Sequence, residues 1–184
     1  MVLDIFNIYI LVEAVWCILP AYAANGLVPV FKKWCRHPID GGRVLGKNRL
    51  LGDGKSWEGL FIGILFGTII ALVEQFAYPF LPWDISPVPL FIAHMWLGTG
   101  FLLGLGAMVG DSVGSFIKRR IGLERGRPAF LLDQEMFLIF AMLFAALLIP
   151  IKYQWFVLLL VLTPTLHWIA NLIGYAMHVT RRPW

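Results

Sequence analysis

Five long apolar runs restrict the fold of this chain more than any other feature of its sequence. Of its 184 residues, 59% are hydrophobic and only 14% are charged, which is more apolar surface than a water-soluble domain of this size can bury. A helix of ~20 apolar residues crosses the hydrocarbon of a bilayer and satisfies its own backbone there. We therefore predict an all-α polytopic integral membrane protein that forms one domain over residues 1–184, with five transmembrane helices near 3–24, 58–80, 90–110, 134–150 and 154–178.

The cations between these runs predict the orientation of the helices. Lys and Arg number seven in residues 25–57, none in 81–89 and five in 111–133. Because cytoplasmic loops are enriched in Lys and Arg, we predict an N-terminus outside, a C-terminus inside and two large cytoplasmic loops. In a cell-membrane protein of this kind, an active site would face the cytoplasm. The cations are Lys32, Lys33, Arg36, Arg43, Lys47, Arg49 and Lys55 in the first loop, and Lys118, Arg119, Arg120, Arg125 and Arg127 in the other.

The net charge of +4 does not indicate nucleic-acid binding, because the cations lie between hydrophobic runs and form no folded basic face. Anionic lipid headgroups and phosphorylated ligands are the partners we expect. Cys17 lies in an apolar run and Cys35 in a basic loop, so no disulfide is expected. The first apolar run has no basic segment before it and contains Glu13, which favours a retained helix over a cleaved signal peptide.

The third apolar run leads into the segment GDSVGSFIKRRIG, residues 110–122. If the helix continues, Asp111, Ser115 and Lys118 share one face, because they recur at i, i+4 and i+7. Asp111 and the later Asp133 flank one basic loop, and two carboxylates so placed suit Mg²⁺, which is otherwise held by water and phosphates. The alternatives are an interfacial helix whose cations reach headgroups, and an Asp133 that caps the fourth helix.

The first basic loop contains GDGKS, residues 52–56. This is not a phosphate-binding P-loop, since Arg49 stands where that pattern needs glycine and no strand precedes it. A flexible turn that presents Gly54, Lys55 and Ser56 just before a helix can still bind a phosphate. Ser56 is also a candidate N-cap of the second helix, and the two roles are compatible.

Several polar residues lie inside or at the ends of the apolar runs. Glu13 is in the middle of the first run, and a buried ionisable group there indicates either a function or a pair with another helix. Asn25 lies where the first helix is expected to end. His167 and Asn171 are four residues apart and share a face of the fifth helix, where they would contact substrate or form hydrogen bonds between helices.

Glycines recur at every fourth position in the second and third helices, which predicts close contact between their backbones. Close approach to a ligand is the alternative, in which Gly63 and Gly67 leave a groove as wide as a lipid. The glycines are Gly59, Gly63 and Gly67 in the second helix, and Gly100, Gly104, Gly106, Gly110 and Gly114 in the third.

The motifs taken together resemble a known enzyme family. GDSVGSFIKRRIGLE followed by LLDQ resembles the signature of the CTP-dependent phosphatidate cytidylyltransferases, and GKSWEG is similar to an upstream element of that family. The small size, ANGLVP near the end of the first helix and GKNRLLGDGKSWEG resemble the archaeal branch more closely, the CDP-archaeol synthases. This resemblance implies that CTP and an isoprenoid ether-lipid phosphate give a CDP-activated lipid and pyrophosphate, with Mg²⁺ as cofactor.

The chain departs from the bacterial signature at two places. Gly126–Ala129 reads GRPA where that signature has a histidine, and Gln134 follows Asp133 where it has an arginine. Charge neutralisation would then come from Arg125, Arg127 or the other basic loop. Lipid phosphate would attack the α-phosphorus of CTP, and the enzyme would position the two anions and neutralise their charge.

The site that follows from motifs and resemblance together combines a metal centre with a phosphate-binding surface. The rival interpretation, a small transporter or lipid-binding membrane protein without catalysis, is weakened because no internal repeat is visible. The expected catalytic residues are Asp111, Asp133 and Lys118, of which Asp111 and Asp133 are the metal ligands; the expected substrate-binding residues are Asn25, Gly54, Lys55, Ser56, Glu58, Ser115, Arg119, Arg125, Arg127, His167 and Asn171.

Overall fold

The structure, a computed structural model, describes residues 7–81, 90–123, 129 and 132–176. Nearly all regular elements in these ranges are helical, as predicted. The α-helices are α1 (Ile8–Leu27), α2 (Trp57–Ala77), α3 (Leu97–Arg120), α4 (Leu132–Ala145) and α5 (Tyr153–Ala176). There are 3₁₀ turns at Val28–Trp34 and Tyr78–Phe80, and a two-stranded hairpin consists of β1 (Val44–Leu45) and β2 (Asn48–Arg49).

Three helical segments are long and apolar enough to cross a membrane, namely Ile8–Trp34, Trp57–Phe80 and Leu97–Arg120. The apolar parts of the last two helices are shorter, at Gln134–Ala145 and Tyr153–Leu166. The protein is therefore a helical membrane protein with at least three candidate spans in the described part of the chain.

Helix α1 contacts all four other helices, and α5 contacts α1 and α4. Helix α3 is the central helix, since it packs most extensively, against α1, α2 and α4. Its glycines bring two neighbouring backbones close. A Cβ built on Gly67 would lie 2.9 Å from the Cα of Gly104, and a Cβ on Gly110 would lie 2.8 Å from the Cα of Phe137 in α4. Both distances are shorter than real Cβ contacts allow, so the predicted backbone packing is confirmed. The alternative of a lipid groove at Gly63 and Gly67 is wrong, because Met108 and the α3 backbone fill that space.

Gly67→Ala is expected to lower stability, because the rigid α3 backbone has no room for the added methyl group. Overpacking of this kind costs about 1–3 kcal/mol, which appears as a lower midpoint of thermal unfolding in detergent. Gly26→Ala is the matched control in α1, since nothing lies within 4 Å of its Cβ position. The control should be neutral or slightly stabilising. Equal midpoints for both variants would contradict the packing of α2 on α3.

The start of the third helix differs from the prediction. Helix α3 begins at Leu97 rather than at residue 90, and Trp96 before it is extended. The preceding segment obtains hydrogen bonds from α1 instead of from its own backbone. The Phe91 N–H donates to Glu13 Oε1 at 2.6 Å, and the indole N–H of Trp16 donates to the carbonyl of Ala93 at 3.0 Å. An apolar run of this length can be extended when distant side chains satisfy its backbone.

Glu13 holds a buried network that joins three parts of the chain. Besides the Phe91 N–H, its carboxylate accepts from the Lys152 ammonium at 2.6 Å and from the Trp155 indole at 2.9 Å. Glu13 is almost fully buried. Of the two possibilities stated for this residue, pairing with another part of the helix bundle is the one observed.

Candidate active site

An ion pair joins the two sequence motifs that we expected to carry the chemistry. The Lys55 ammonium, at the end of the first basic loop, donates to Asp111 Oδ2 in α3. The Lys55 side chain is 18% exposed and that of Asp111 is 30% exposed. The pair is thus shielded enough to be held in place and open enough to meet a ligand.

Backbone hydrogen bonds fix Lys55 on both sides. Its N–H donates to the Gly52 carbonyl at 3.2 Å, and its own carbonyl accepts from the Ile39 N–H at 2.9 Å. Gly52 has a φ of 88°, a conformation that favours glycine and explains this residue in the turn. The Trp57 N–H donates to the His37 carbonyl at 3.0 Å, which closes the loop immediately before α2.

Ser56 is the N-cap of α2, which confirms one of the two roles expected for it. Its Oγ accepts from the Gly59 N–H at 3.1 Å, and the side chain is buried. The hydroxyl hydrogen is not used by that bond. The N-terminus of α2 therefore lies directly beside the Lys55–Asp111 pair, where the positive end of the helix dipole favours an anion.

Glu58 has a partner within the loop. It accepts from the His37 N–H at 3.2 Å and is paired with the His37 imidazole. This contact ties the first turn of α2 to the chain segment that leaves α1. The sequence pattern gave no indication of it, because His37 lies 21 residues earlier in an exposed loop.

Helix α3 continues to Arg120, so Asp111, Ser115 and Lys118 do share one face, as predicted. Ser115 is buried. The helix ends in a Schellman motif, in which Gly122 has a φ of 80° and the Leu123 N–H donates to the Lys118 carbonyl at 3.0 Å. Lys118 therefore lies in the last turn of a well-terminated helix.

The neighbouring cations of this helix have different surroundings. Arg120 donates to the backbone carbonyls of Leu45, Asn48 and Arg49 and so fastens the β1–β2 hairpin to α3. The alternative of an interfacial helix whose cations reach headgroups is thus not what the structure shows for Arg120. Arg119 donates to the Leu123 carbonyl, and its buried Nε has no partner among the described residues.

The Arg119 Nε lies 4.0 Å from the position of a Cβ built on Gly52. Its guanidinium therefore stands against the turn that carries Lys55. This is a suitable position for a cation that contacts the same ligand as Lys55.

A buried carboxylate that sequence reasoning missed organises the loop between α1 and α2. Asp40 accepts from Arg49 at 2.6 and 3.2 Å and from the N–H groups of Gly42, Leu51 and Gly52 at 2.9–3.1 Å. The Arg49 guanidinium, helped by these N–H groups and opposed by burial, holds the pKa of Asp40 well below its usual range. The glycines after Asp40 were the available signal, since Gly41 and Gly42 have φ values of 55° and 84°.

Asp133 is the second residue of α4, and its side chain lies outside the described part of the structure. The backbone of α4 is informative, because the Leu132 carbonyl lies 3.4 Å from a Cβ built on Gly114, and Phe137 lies against Gly110. The first turn of α4 thus runs beside the stretch of α3 that contains Asp111.

The oxygen-bearing side chains around Asp111 fit a Mg²⁺ ion whose other ligands are water and substrate phosphates. A cleft of about 20 Å³ beside Asp111 is lined also by Lys55, Ser56 and Ser112. Within the described ranges no three His, Cys, Asp or Glu side chains form a cluster, so a complete protein cage is not found there. Mg²⁺ commonly needs only one or two carboxylates, and the partly exposed Asp111 can supply one of them.

The remaining expected site residues lie on other elements. Asn25 is half-buried in the last turn of α1, which continues past it to Leu27. His167 and Asn171 are in α5, but their side chains are outside the described part of the structure, and so are the whole residues Arg125 and Arg127.

Comparisons with known proteins agree with this architecture. The CarS-like CDP-archaeol synthase family matches residues 6–184. The CDP-archaeol synthase of Methanococcus aeolicus is 40% identical over 180 residues, covering 96% of this chain and 98% of the relative. That of Thermococcus kodakarensis is 44% identical over 172 residues, with 93% and 95% covered.

A solved structure, described as an intramembrane enzyme for archaeal membrane lipids biosynthesis, superposes with a TM-score of 0.72 at 36% identity. The superposition covers 88% of this chain and 94% of that one. The helical membrane fold, the charged site at the end of its central helix and these relatives define the class, which is the membrane-embedded cytidylyltransferases. The chain belongs to the CDP-archaeol synthase family.

Proposed function

We propose that this protein transfers CMP from CTP to the phosphate of an archaeal ether lipid, 2,3-bis-O-geranylgeranylglycerol 1-phosphate. The products are CDP-archaeol and pyrophosphate, and the product lipid serves phospholipid biosynthesis. The observation that carries the proposal is the pairing of Lys55 with Asp111 in a chain of this family. A non-catalytic transporter or lipid-binding protein is not favoured, because the relatives are synthases.

The reaction needs no protein nucleophile. A phosphate oxygen of the lipid attacks the α-phosphorus of CTP, the bond from that phosphorus to the bridging oxygen of the β-phosphate breaks, and pyrophosphate leaves with the electron pair. Catalysis then consists of positioning two anions and stabilising the charge of the transition state. Lys55, Lys118 and Arg119 supply positive charge in the described part of the site, and Arg125 and Arg127 supply more from the loop before α4.

Asp111 and Asp133 would hold Mg²⁺, which when bound would neutralise and orient phosphate oxygens. The Lys55 ammonium can leave Asp111 for a phosphate oxygen of CTP, because its flexible stem carries a mobile point charge. The N-terminus of α2 and the Ser56 hydroxyl then stand beside the same phosphate, with Gly54 allowing close backbone approach. Ser115, Asn25, Glu58, His167 and Asn171 complete the proposed substrate contacts on the surrounding helices.

We extend the proposal to the arrangement in the membrane. All five helices cross the cell membrane as a single domain, with the N-terminus outside, the C-terminus inside and the active site facing the cytoplasm. The Lys55 loop and the cationic end of α3 lie together, which supports placing both on the cytoplasmic side. Both substrates can then reach the site, since CTP arrives from the cytoplasm and the lipid remains in the bilayer.

Single-cysteine labelling tests this orientation. In a variant without Cys17 and Cys35, a cysteine at Gly41 should react with an impermeant thiol reagent only from the cytoplasmic side. A cysteine at Asp84 should react only from outside, since its loop has no cations. Labelling of position 84 only from the cytoplasm would overturn the orientation.

The activity itself is tested with protein purified in detergent. Given CTP, Mg²⁺ and the ether-lipid phosphate, it should release pyrophosphate and form a CDP-lipid. ATP in place of CTP should give little product, and chelation of Mg²⁺ should stop the reaction. Lipid binding without any CTP consumption would contradict the proposed function and favour a non-catalytic role.

A further inference from the structure

The loop between α1 and α2 is folded around one side chain. Asp40 is 1% exposed, and its two oxygens accept all five of the hydrogen bonds described above, from Arg49 and from three backbone N–H groups. Hydrogen bonds to an ionised acceptor are about twice as strong as neutral ones. Because Asp40 is buried and accepts hydrogen bonds from three backbone N–H groups, it fixes the backbone around it.

A short path of hydrogen bonds leads from Asp40 to the active-site lysine. Asp40 Oδ2 accepts from the Gly52 N–H at 2.9 Å, and the Gly52 carbonyl accepts from the Lys55 N–H at 3.2 Å. The neighbour of Asp40, Ile39, donates its N–H to the Lys55 carbonyl. Both sides of the Lys55 peptide are thus bound to residues that Asp40 holds or adjoins.

The attachment of the loop to the helix bundle is separate from this path. Arg120 fastens the hairpin to α3 through the carbonyls of Leu45, Asn48 and Arg49, and the Asn48 amide donates to the Arg119 carbonyl at 3.0 Å. None of these contacts involves an Asp40 oxygen. Loss of the Asp40 charge is therefore expected to loosen the turn at Gly52 while Arg120 keeps the hairpin docked.

We propose that Asp40 is a positioning residue for the reaction, which acts by fixing the Gly52 turn so that the Lys55 ammonium meets its phosphate. This proposal rests on the proposed function. A lysine side chain has four rotatable bonds, so the place of its ammonium is defined only when its backbone is fixed. A displacement of about 1 Å of a positioning group can cost about a hundredfold in rate.

The test is a double-mutant cycle of Asp40→Asn and Lys55→Ala, measured as kcat/KM for CTP. Asp40→Asn keeps the shape and removes the charge, and it should lower kcat/KM by about tenfold to a hundredfold. In the Lys55→Ala background it should have little further effect, because groups that act through one another are not additive. Asp53→Asn is the matched control, since Asp53 is 56% exposed and also binds Arg49; it should stay within about twofold of the wild type.

Two results would overturn the proposal. If the double variant loses kcat/KM by the product of the two single-variant factors, Asp40 does not act through Lys55. If a folded Asp40→Asn protein has unchanged turnover, Asp40 has no role in positioning. If Asp40→Asn does not fold, Asp40→Glu replaces it in the cycle, because the longer side chain keeps the charge and displaces the carboxylate from the Gly52 N–H. Full activity of Lys55→Ala alone would instead contradict the role of Lys55 in the proposed function.

Discussion

Asp111→Asn is expected to lower the CTP-dependent turnover by a hundredfold or more. The substitution keeps the shape of the side chain and removes the charge that pairs with Lys55 and would hold Mg²⁺. Loss of one preorganised electrostatic group costs about 3 kcal/mol or more of transition-state stabilisation, which corresponds to that factor in rate. We expect the same scale of loss for Asp133→Asn, the other proposed metal ligand.

The measurement is the initial rate of pyrophosphate release at saturating CTP over a series of Mg²⁺ concentrations. Asp53→Asn is again the matched control, because it removes a more exposed carboxylate from the same loop region, one that pairs with Arg49. Thermal unfolding of each variant separates lost catalysis from lost folding. A folded Asp111→Asn protein with nearly wild-type turnover at saturating Mg²⁺ would show that Asp111 is no catalytic metal ligand.

Glu13→Ala is expected to destabilise the protein by about 1–3 kcal/mol, the usual cost of leaving a buried polar group without its partner. The substitution removes the acceptor of the buried Trp155 indole, of the Phe91 N–H and of the Lys152 ammonium, whose side chain is 36% exposed. Because Lys152 is partly exposed, water compensates part of the lost ion pair. Denaturant unfolding in a fixed detergent would measure the loss as a lower midpoint.

A second variant makes the cause of that loss specific. The double substitution Glu13→Leu with Lys152→Met removes both charges together, while the Trp155 indole and the Phe91 N–H still lack their acceptor. We therefore expect the double variant to recover only the part of the loss that comes from the unpaired Lys152 ammonium. A double variant as unstable as the single one would show that the ion pair is not the source of the effect.

The helical architecture and the common helix face of Asp111, Ser115 and Lys118 could be predicted because both depend on local pattern. The apolar runs predicted the bounds of four helices to within about five residues, whereas α3 starts and ends later than its run. The i, i+4, i+7 spacing placed Asp111, Ser115 and Lys118 on one face. The cap at Ser56 followed from its position before an apolar run. The sequence indicated that the motifs of Lys55 and Asp111 bind one ligand, but it did not predict the direct contact between the two side chains.

The features that were missed depend on contacts between distant residues. Residues 90–96 are as apolar as a helix, yet Glu13 and Trp16 bind their backbone from 77–78 positions away. No local pattern contains that information. The same holds for Arg120, whose partners are more than 70 positions earlier in the chain, and for Glu58, whose partner His37 is exposed.

The Asp40 network was missed for a different reason. Its partners lie within 12 residues, but they belong to a loop with little regular structure, where charge and glycine content are compatible with many arrangements. The family resemblance supplied the reaction, whereas the residues that shape the loop became apparent only from their hydrogen bonds.

The glycine contacts on two sides of α3 also determine how the enzyme responds to bilayer thickness. Gly104 lies against α2 and Gly110 against α4 at backbone distance, so α3 can neither slide nor rotate between them. With a rise of about 1.5 Å per residue, Asp111 stays about 10 Å below Gly104 along the helix axis. When a membrane is thicker or thinner, tilt of the whole bundle or adjustment of the surrounding lipid must absorb the mismatch. The proposed site at Asp111 would therefore stay at a constant depth relative to the helices, whatever the length of the lipid chains around them.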